Sequence, residues 1–465
     1  MYLKYYQSEI RGYLFVSIFI IIFLQTFNIF PQVVEEWVTR YNSAGNGNDN
    51  AKDLILDLSG NIYVTGTDYG GYNTVKYNDS GIQQWAVTHT TPGYDYSTAV
   101  ALAVDNAGNV YVTGGSYSSS NHRDFVTVKY NNSGVQQWFV TYNGTVNYDD
   151  YVSDIVVDDA GNVYIVGSTN CTGINSDCIV IKYNTVGVQQ WIAVYNNIDN
   201  GNDAGNAIAL DNLGNVYVTG DSDFNVTSLD YLTIKYDNNG VQQWVSTYSG
   251  SSSGWEFAYS IAVDNSGNVY VTGQSGGANE NIATVKYNSS GIQQWVDSYN
   301  GITGRADVGN TIAIDNEGNV YVTGYADYND WTNTCDIITI KYNNLGAREW
   351  VALYNGDGNV QDQANAIALD TAGNVYVTGF TDYATPGVSP SDYVTIKYDS
   401  NGVQKWVMKY NGTANSGDTA YDIAVDDVGN VFVTGSSAGL GTNSDYATIK
   451  YSPIPAFASN TFYFY

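Results

Sequence analysis

Histidine and methionine occur twice each in 465 residues, cysteine three times and proline six times. Two histidines leave little from which to build a histidine-based metal site or a Ser-His-Asp triad. His89 and His122 stand in no catalytic spacing with any Ser or Cys, and both are expected at the surface. Three cysteines without a Cys-x-x-Cys spacing do not support zinc ligation. Cys171 and Cys178 fall in one loop region and could pair in an oxidising compartment, whereas Cys335 has no evident partner. Basic residues are also scarce: 17 Lys+Arg against 46 Asp+Glu give a net charge of −29. Such a surface repels phosphate backbones, which argues against a nucleic-acid partner. No Walker loop, Gly-x-Ser-x-Gly elbow or His-Glu-x-x-His helix occurs.

Long apolar runs are missing as well. The longest, Tyr13 to Leu24 after Lys4 and Arg11, is short of the roughly 20 residues that span a bilayer. Residues 1–32 therefore read as a signal peptide and predict export, to the medium or the cell surface. The segment ends Asn28-Ile29-Phe30-Pro31-Gln32, without the small residues of a cleavage site, so an N-terminal anchor is the alternative.

What is abundant is Gly (48) and Tyr (43), and the reason is an internal repeat. Gly-Asn-Val-Tyr-Val-Thr-Gly and close variants start at Gly60, Gly108, Gly161, Gly214, Gly267, Gly318, Gly373 and Gly429. Thr-Ile/Val-Lys-Tyr places lysines at 76, 129, 182, 235, 286, 341, 397 and 450, and Val-Gln-Gln-Trp-Val places Trp85, Trp138, Trp191, Trp244, Trp295, Trp350 and Trp406. Trp37 is an eighth tryptophan that precedes every other landmark. Each unit reads as four short strands, a to d, rich in β-branched and aromatic residues and free of proline. Asp-x-x-Gly-Asn joins a to b, and a similar Asn-x-x-Gly joins c to d, both suited to tight hairpins. Four antiparallel strands repeated about every 50 residues describe a propeller blade.

The chain opens on a lone strand d (residues 33–41) and closes on strands a, b and c of the eighth unit. The first strand should complete the last blade, leaving no long open edge. The expected fold is thus all-β: one eight-bladed propeller over residues 33–451, followed by a short tail, 452–465.

The repeated Asp-x-x-Gly-Asn-Val-Tyr-Val-Thr-Gly, Asp-x-x-Thr-Ile-Lys-Tyr-Asn and Gly-Val-Gln-Gln-Trp resemble the SBBP repeat, a bacterial β-propeller repeat related to NHL-type propellers. The resemblance spans residues 33–451. It implies seven blades by the family name, and exported, often modular surface proteins with no assigned enzymatic reaction.

Spacings separate framework from variation. Only the b–c loop changes length between units, and the b–c and d–a loops should share one face of the disc. Variable loops of repeat proteins usually bind partners, here a protein or a glycan. Tyr117, Phe224, Tyr325, Tyr328, Trp331, Phe380 and Tyr383 lie in b–c loops and Trp255 in a d–a loop. Exposed, these aromatics would stack on sugar rings or anchor a protein; otherwise they fill gaps between blades.

Two periodic acidic positions complete the pattern. Asp49, Asp150, Asp203, Glu256, Asp307, Asp362 and Asp418 stand eight residues before the Asp that closes strand a. Two readings are open: a structural bond to loop backbone, or a ring of oxygen ligands for a cation such as Ca²⁺. Asp124, Asp177, Asp230, Asp336, Asp392 and Asp445 stand five before the repeat lysine, and a carboxylate–lysine contact is expected there. The main functional expectation is a non-enzymatic binding or scaffold protein. The alternative is an extracellular polysaccharide hydrolase or lyase using carboxylates such as Asp307 and Asp362.

Overall fold

The computed structural model describes residues 33–454, apart from 69, 121, 171–174, 224–227, 251–253, 277–279, 302–303, 330–333, 358–359 and 383–390. Residues 1–32, read above as a signal peptide or anchor, and Cys171, Phe224, Trp331 and Tyr383 therefore lie outside the described residues.

Thirty-two strands form eight four-stranded antiparallel sheets. Strand β1 (Val33–Tyr41) comes first, followed by blade 1: β2 (Asn50–Leu56), β3 (Ile62–Thr67), β4 (Tyr72–Tyr77) and β5 (Gln83–His89). Blades 2 to 7 follow as β6–β29 (residues 96–410). Blade 8 consists of β30 (Asp418–Val425), β31 (Val431–Ala438), β32 (Ser444–Pro453) and β1, in the order β1-β32-β31-β30. The ladder runs from Val33↔Pro453 to Tyr41↔Tyr446, so the first strand does close the last blade. Eight blades are present, not seven.

Within a blade, strand a lies next to the strands a of its neighbours, around the axis, and strand d lies outermost. Strand b is sealed on both sides: Val163, Tyr164, Ile165 and Val166 are all buried. The core therefore lies between blades. Ile179 and Ile181 of blade 3, for example, pack with Tyr111 and Phe125 of blade 2. Each fully buried aliphatic or aromatic side chain contributes about 1.5–3 kcal/mol, which selects the β-branched residues the repeat carries.

The strand-d tryptophans stitch blades together. Each indole lies against its own strand-b aromatic ring, as Trp138 does against Tyr111 at 6.0 Å and Trp37 against Phe432 at 6.3 Å. In seven of the eight the N–H then donates to a backbone carbonyl in the next blade's c–d turn, as from Trp37 to Asp79 (2.9 Å), Trp85 to Asn132 (2.9 Å) and Trp138 to Thr185 (3.1 Å). The turn glycine sits flat on that indole. Gly134 has φ +76, and a Cβ there would lie 2.8 Å from the Trp85 ring. Only glycine fits both the conformation and the contact.

The expected carboxylate–lysine contact on strand c is not formed. Lys129 Nζ stands 4.8 Å over the Tyr111 ring and 3.1 Å from the Thr185 carbonyl. Lys450 donates to Asp79, 2.6 Å away in blade 1. Five residues at about 3.3 Å each put the aspartate about 17 Å off, at the other end of the strand, and odd spacing turns it to the other side. The lysines clamp the face with the tight turns, and the aspartates belong to the face with the variable loops.

His89 also departs from expectation. It is buried between the rings of Tyr72 (5.9 Å) and Phe139 (5.1 Å), and burial lowers its pKa. His122 lies at the surface, its side chain 46% exposed. Cys178 and Cys335 are free, buried thiols.

Candidate functional site

The d–a and b–c loops share one face, joined by a repeated bond. The backbone N–H of the d–a acidic residue donates to a carbonyl at or beside the start of the preceding blade's strand c. Asp49 donates to Ser444 (2.6 Å), Asp150 to Arg123 (2.7 Å), Asp203 to Ser176 (2.7 Å) and Asp418 to Ser391 (2.7 Å). Each of the six aspartate carboxylates then turns inward and accepts the N–H six residues earlier, closing its own loop. Those donors are Ser43 (2.7 Å), Gly144 (2.8 Å), Asn197 (2.9 Å), Gly301 (2.6 Å), Gly356 (2.6 Å) and Gly412 (2.6 Å). All seven acidic residues of this set are 0% exposed, Asp307 and Asp362 included. Burial raises their pKa values, to about 6 for Asp203 and Asp307 and about 7 for Glu256.

The second acidic position meets the first at the same seams. Asp124 accepts the Tyr94 hydroxyl, and Asp445 accepts Arg40 at 3.0 Å. Asp336 is pushed up to about 6, by burial first and by Asp362 second. These carboxylates stand one seam apart around the ring. Among the described residues, no three His, Cys, Asp or Glu side chains are grouped to hold a metal ion.

The aromatic residues are distributed unequally. Tyr117 stacks on Tyr96 at 5.0 Å, and Tyr96 is 44% exposed. The Arg123 guanidinium lies 5.4 Å over the ring of Tyr151, itself 48% exposed. Gly115 makes room for that arginine, since a Cβ there would lie 2.8 Å from its Nε. Tyr148 stacks on His122 at 5.8 Å. Blades 2 and 3 thus present Tyr96, Tyr117, Tyr148 and Tyr151 at one seam, with Arg123 over the last of them.

A second group lies on blades 5 and 6. Trp255, 58% exposed, meets Phe257 edge-on at 6.3 Å, and Phe257 stacks on Tyr259 at 6.3 Å with 3° between planes. These are alternate residues, so period-2 alternation turns them to one side. Tyr325 and Tyr328 meet edge-on at 5.9 Å. Phe380 is half-buried, opposite Tyr393 in the ladder, and stands apart from both groups.

Three carboxylates near the axis have no counterpart in the sequence reading. Every strand a carries a β-bulge, at Ala51/Asp53 in blade 1 and Ala420/Asp422 in blade 8. A bulge leaves a backbone N–H without a ladder partner. Asp422 accepts the Leu54 N–H (2.8 Å), Asp53 the Leu102 N–H (2.6 Å) and Asp154 the Ile208 N–H (3.0 Å), each in the next blade. Asp53 and Asp422 are also hydrogen-bonded to each other, and burial raises both pKa values, Asp422 well above the carboxylate range. Asp154 is raised to about 7 for the same reason. The repeat holds Ala or another residue here in other units, so no periodic signal marks the position.

The family model described as the SBBP beta-propeller repeat matches residues 36–67, 139–175, 190–226, 246–279, 299–330, 349–382 and 408–441. The chain belongs to this family. The unmatched unit is the one in which His89 and Ser97 replace the usual Tyr and Asp. A WD repeat-containing protein (L264) of Acanthamoeba polyphaga mimivirus is 25% identical over 69% of this chain. The match covers 32% of that protein's length. Similar solved structures include the WD40 domain of SCAP from fission yeast, with TM-score 0.47 and 11% identity, covering 89% of this chain and 97% of that one. They also include a PL25 ulvan lyase, with TM-score 0.43 and 10% identity, covering 87% and 95%. Neither structural likeness bears on function.

Proposed function

We propose that the protein is an exported, non-enzymatic scaffold whose loop face binds a protein or glycan partner. The observation that carries this reading is the seam of blades 2 and 3, where Tyr96, Tyr117, Tyr148 and Tyr151 gather and Arg123 lies over the Tyr151 ring. Solvated tyrosine rings offer flat apolar area with a polar edge, suited to sugar faces and to protein anchors alike. A guanidinium over one ring adds a cationic, hydrogen-bonding centre to a chain of net charge −29. Trp255 with Phe257 supplies a second contact across the same face.

Glycan-array and pull-down screens with the wild type and the variants Tyr96→Ala/Tyr151→Ala and Trp255→Ala test the reading. Binding reduced at least tenfold in the double variant, with unchanged thermal stability, supports it. A ligand bound equally by all three proteins contradicts the assignment to this face.

A further inference from the structure

The position three residues after the repeat lysine faces the lysine of the preceding blade. It is asparagine in blades 2, 4 and 6 (Asn132, Asn238 and Asn344) and Asp, Thr, Ser or Pro in the others. At two seams this sets a primary amide against the amine. Lys76 Nζ of blade 1 donates to the side-chain oxygen of Asn132 in blade 2, and Lys182 Nζ of blade 3 to that of Asn238 in blade 4.

The two seams share no residue, yet they are built alike. Each strand-b tyrosine is anchored on the aspartate of its own a–b turn: Tyr63 donates to Asp57 at 2.9 Å and Tyr164 to Asp158 at 3.0 Å. The same hydroxyls stand 3.4 Å from Asn132 Oδ1 and 3.3 Å from Asn238 Oδ1. The far side of each amide rests on a glycine of its own blade. A Cβ on Gly108 would lie 2.8 Å from Asn132 Nδ2, and one on Gly214 would lie 3.3 Å from Asn238 Nδ2. The amide oxygen is thus turned to the lysine and the tyrosine, and the amide nitrogen away from them. Lys76 and Lys182 are 6% and 7% exposed, and burial lowers the pKa of both. Desolvation favours the neutral amine, which is the nucleophilic form of lysine.

We propose that Lys76 with Asn132, and Lys182 with Asn238, form intramolecular isopeptide bonds that lock blade 1 to blade 2 and blade 3 to blade 4. The neutral Nζ attacks the asparagine Cγ, which lies one carbonyl bond, ~1.2 Å, beyond the oxygen it already touches. The tyrosine hydroxyl steadies the negative charge that gathers on Oδ1. The Nζ–Cγ bond forms, the Cγ–Nδ2 bond breaks, and a proton passes from Nζ to Nδ2, which leaves as ammonia. The step needs no oxidant and no co-reactant. Both asparagines are exposed, so the ammonia escapes to solvent. Holding amine and amide together supplies the rate that the same groups lack when free.

The other seams each lack a part. Thr185, Ser289, Ser400 and Pro453 carry no side-chain amide. Asp79 is a carboxylate 2.6 Å from Lys450, an ion pair that keeps the amine charged. Lys286 donates to the backbone oxygen of Asn344 at 3.0 Å, and Asn344 sets its Cβ, not its amide, against Gly318.

Peptide mapping by mass spectrometry, on the folded full chain after prolonged incubation at mildly alkaline pH, is the test. The peptides carrying Lys76 and Asn132 should be recovered linked and lighter by one ammonia, and likewise those carrying Lys182 and Asn238. Lys286 and Asn344 should be recovered unlinked. Lys76→Arg should abolish the first link and leave the second. Tyr63→Phe, a change that blade 8 already carries as Phe432, should slow the first link by about tenfold or more. Recovery of both pairs solely as linear peptides overturns the proposal. So does linkage at Lys286 as fast as at Lys76, which would deny the tyrosine and the seated amide any part.

Discussion

Arg40 on β1 lies 3.0 Å from the carboxylate of Asp445 on β32, and it also donates to Ser437 Oγ at 2.7 Å. The pair joins the two ends of the described chain within one blade, with Asp445 6% exposed and Arg40 21%. Truncating one partner of such a pair leaves the other charge buried without compensation. Arg40→Ala should therefore cost about 2–4 kcal/mol, discounted slightly for the exposure of the arginine. Urea unfolding measures it. A cost below about 0.5 kcal/mol would mean that closure does not depend on this contact.

Acidity should stabilise the fold. Glu256, Asp154, Asp203, Asp307 and Asp336 have folded-state pKa values of about 6 to 7, above those of the unfolded chain. The folded state then holds more protons, so stability is lost as pH rises from about 4 through 7. The hairpin residues Asp57, Asp105, Asp211, Asp264 and Asp370 are shifted down by the bonds they accept and work oppositely, below pH 4. Thermal midpoints should peak near pH 4 to 5 and fall towards pH 8. A midpoint that climbs from pH 5 to 8 would contradict the assigned burial.

The turn glycines separate strain from contact. Gly60 has φ +75 and nothing within 4 Å of a notional Cβ, so Gly60→Ala should cost about 1–2 kcal/mol, from backbone conformation alone. Gly134→Ala adds a clash with the Trp85 indole and should cost about 1–3 kcal/mol more. Equal losses in the two variants, read by denaturant midpoints, would remove the indole from its role between blades.

The propeller was legible because its signal is repeated eight times: the turn chemistry, the strand alternation and the lone strand 33–41 each point to the same ring. The loop face was legible through Tyr117 and Trp255, but their neighbours Tyr96, Tyr148, Tyr151 and Arg123 were not. Those residues lie outside the aligned loop positions and converge only through the stacking of blades 2 and 3. Asp53, Asp154 and Asp422 were invisible for a different reason. A bulge creates the free N–H each accepts, and its acceptor lies across a seam, 49 or 54 residues away and, at the closing seam, 368. The strand-c lysines misled because regular spacing in sequence does not imply contact along an extended strand.

A single face of loops exists only if the ring is closed by β1, and an engineered bond tests that most directly. Thr39 and Thr448 are partners in the β1–β32 ladder. Thr39→Cys/Thr448→Cys should form an intramolecular disulfide under mild oxidation. Closing so long a loop should raise stability by about 6 kcal/mol in the chain-entropy account, less any strain in the bond. Failure to cross-link, or cross-linking only between separate chains, would contradict the closed eight-bladed ring.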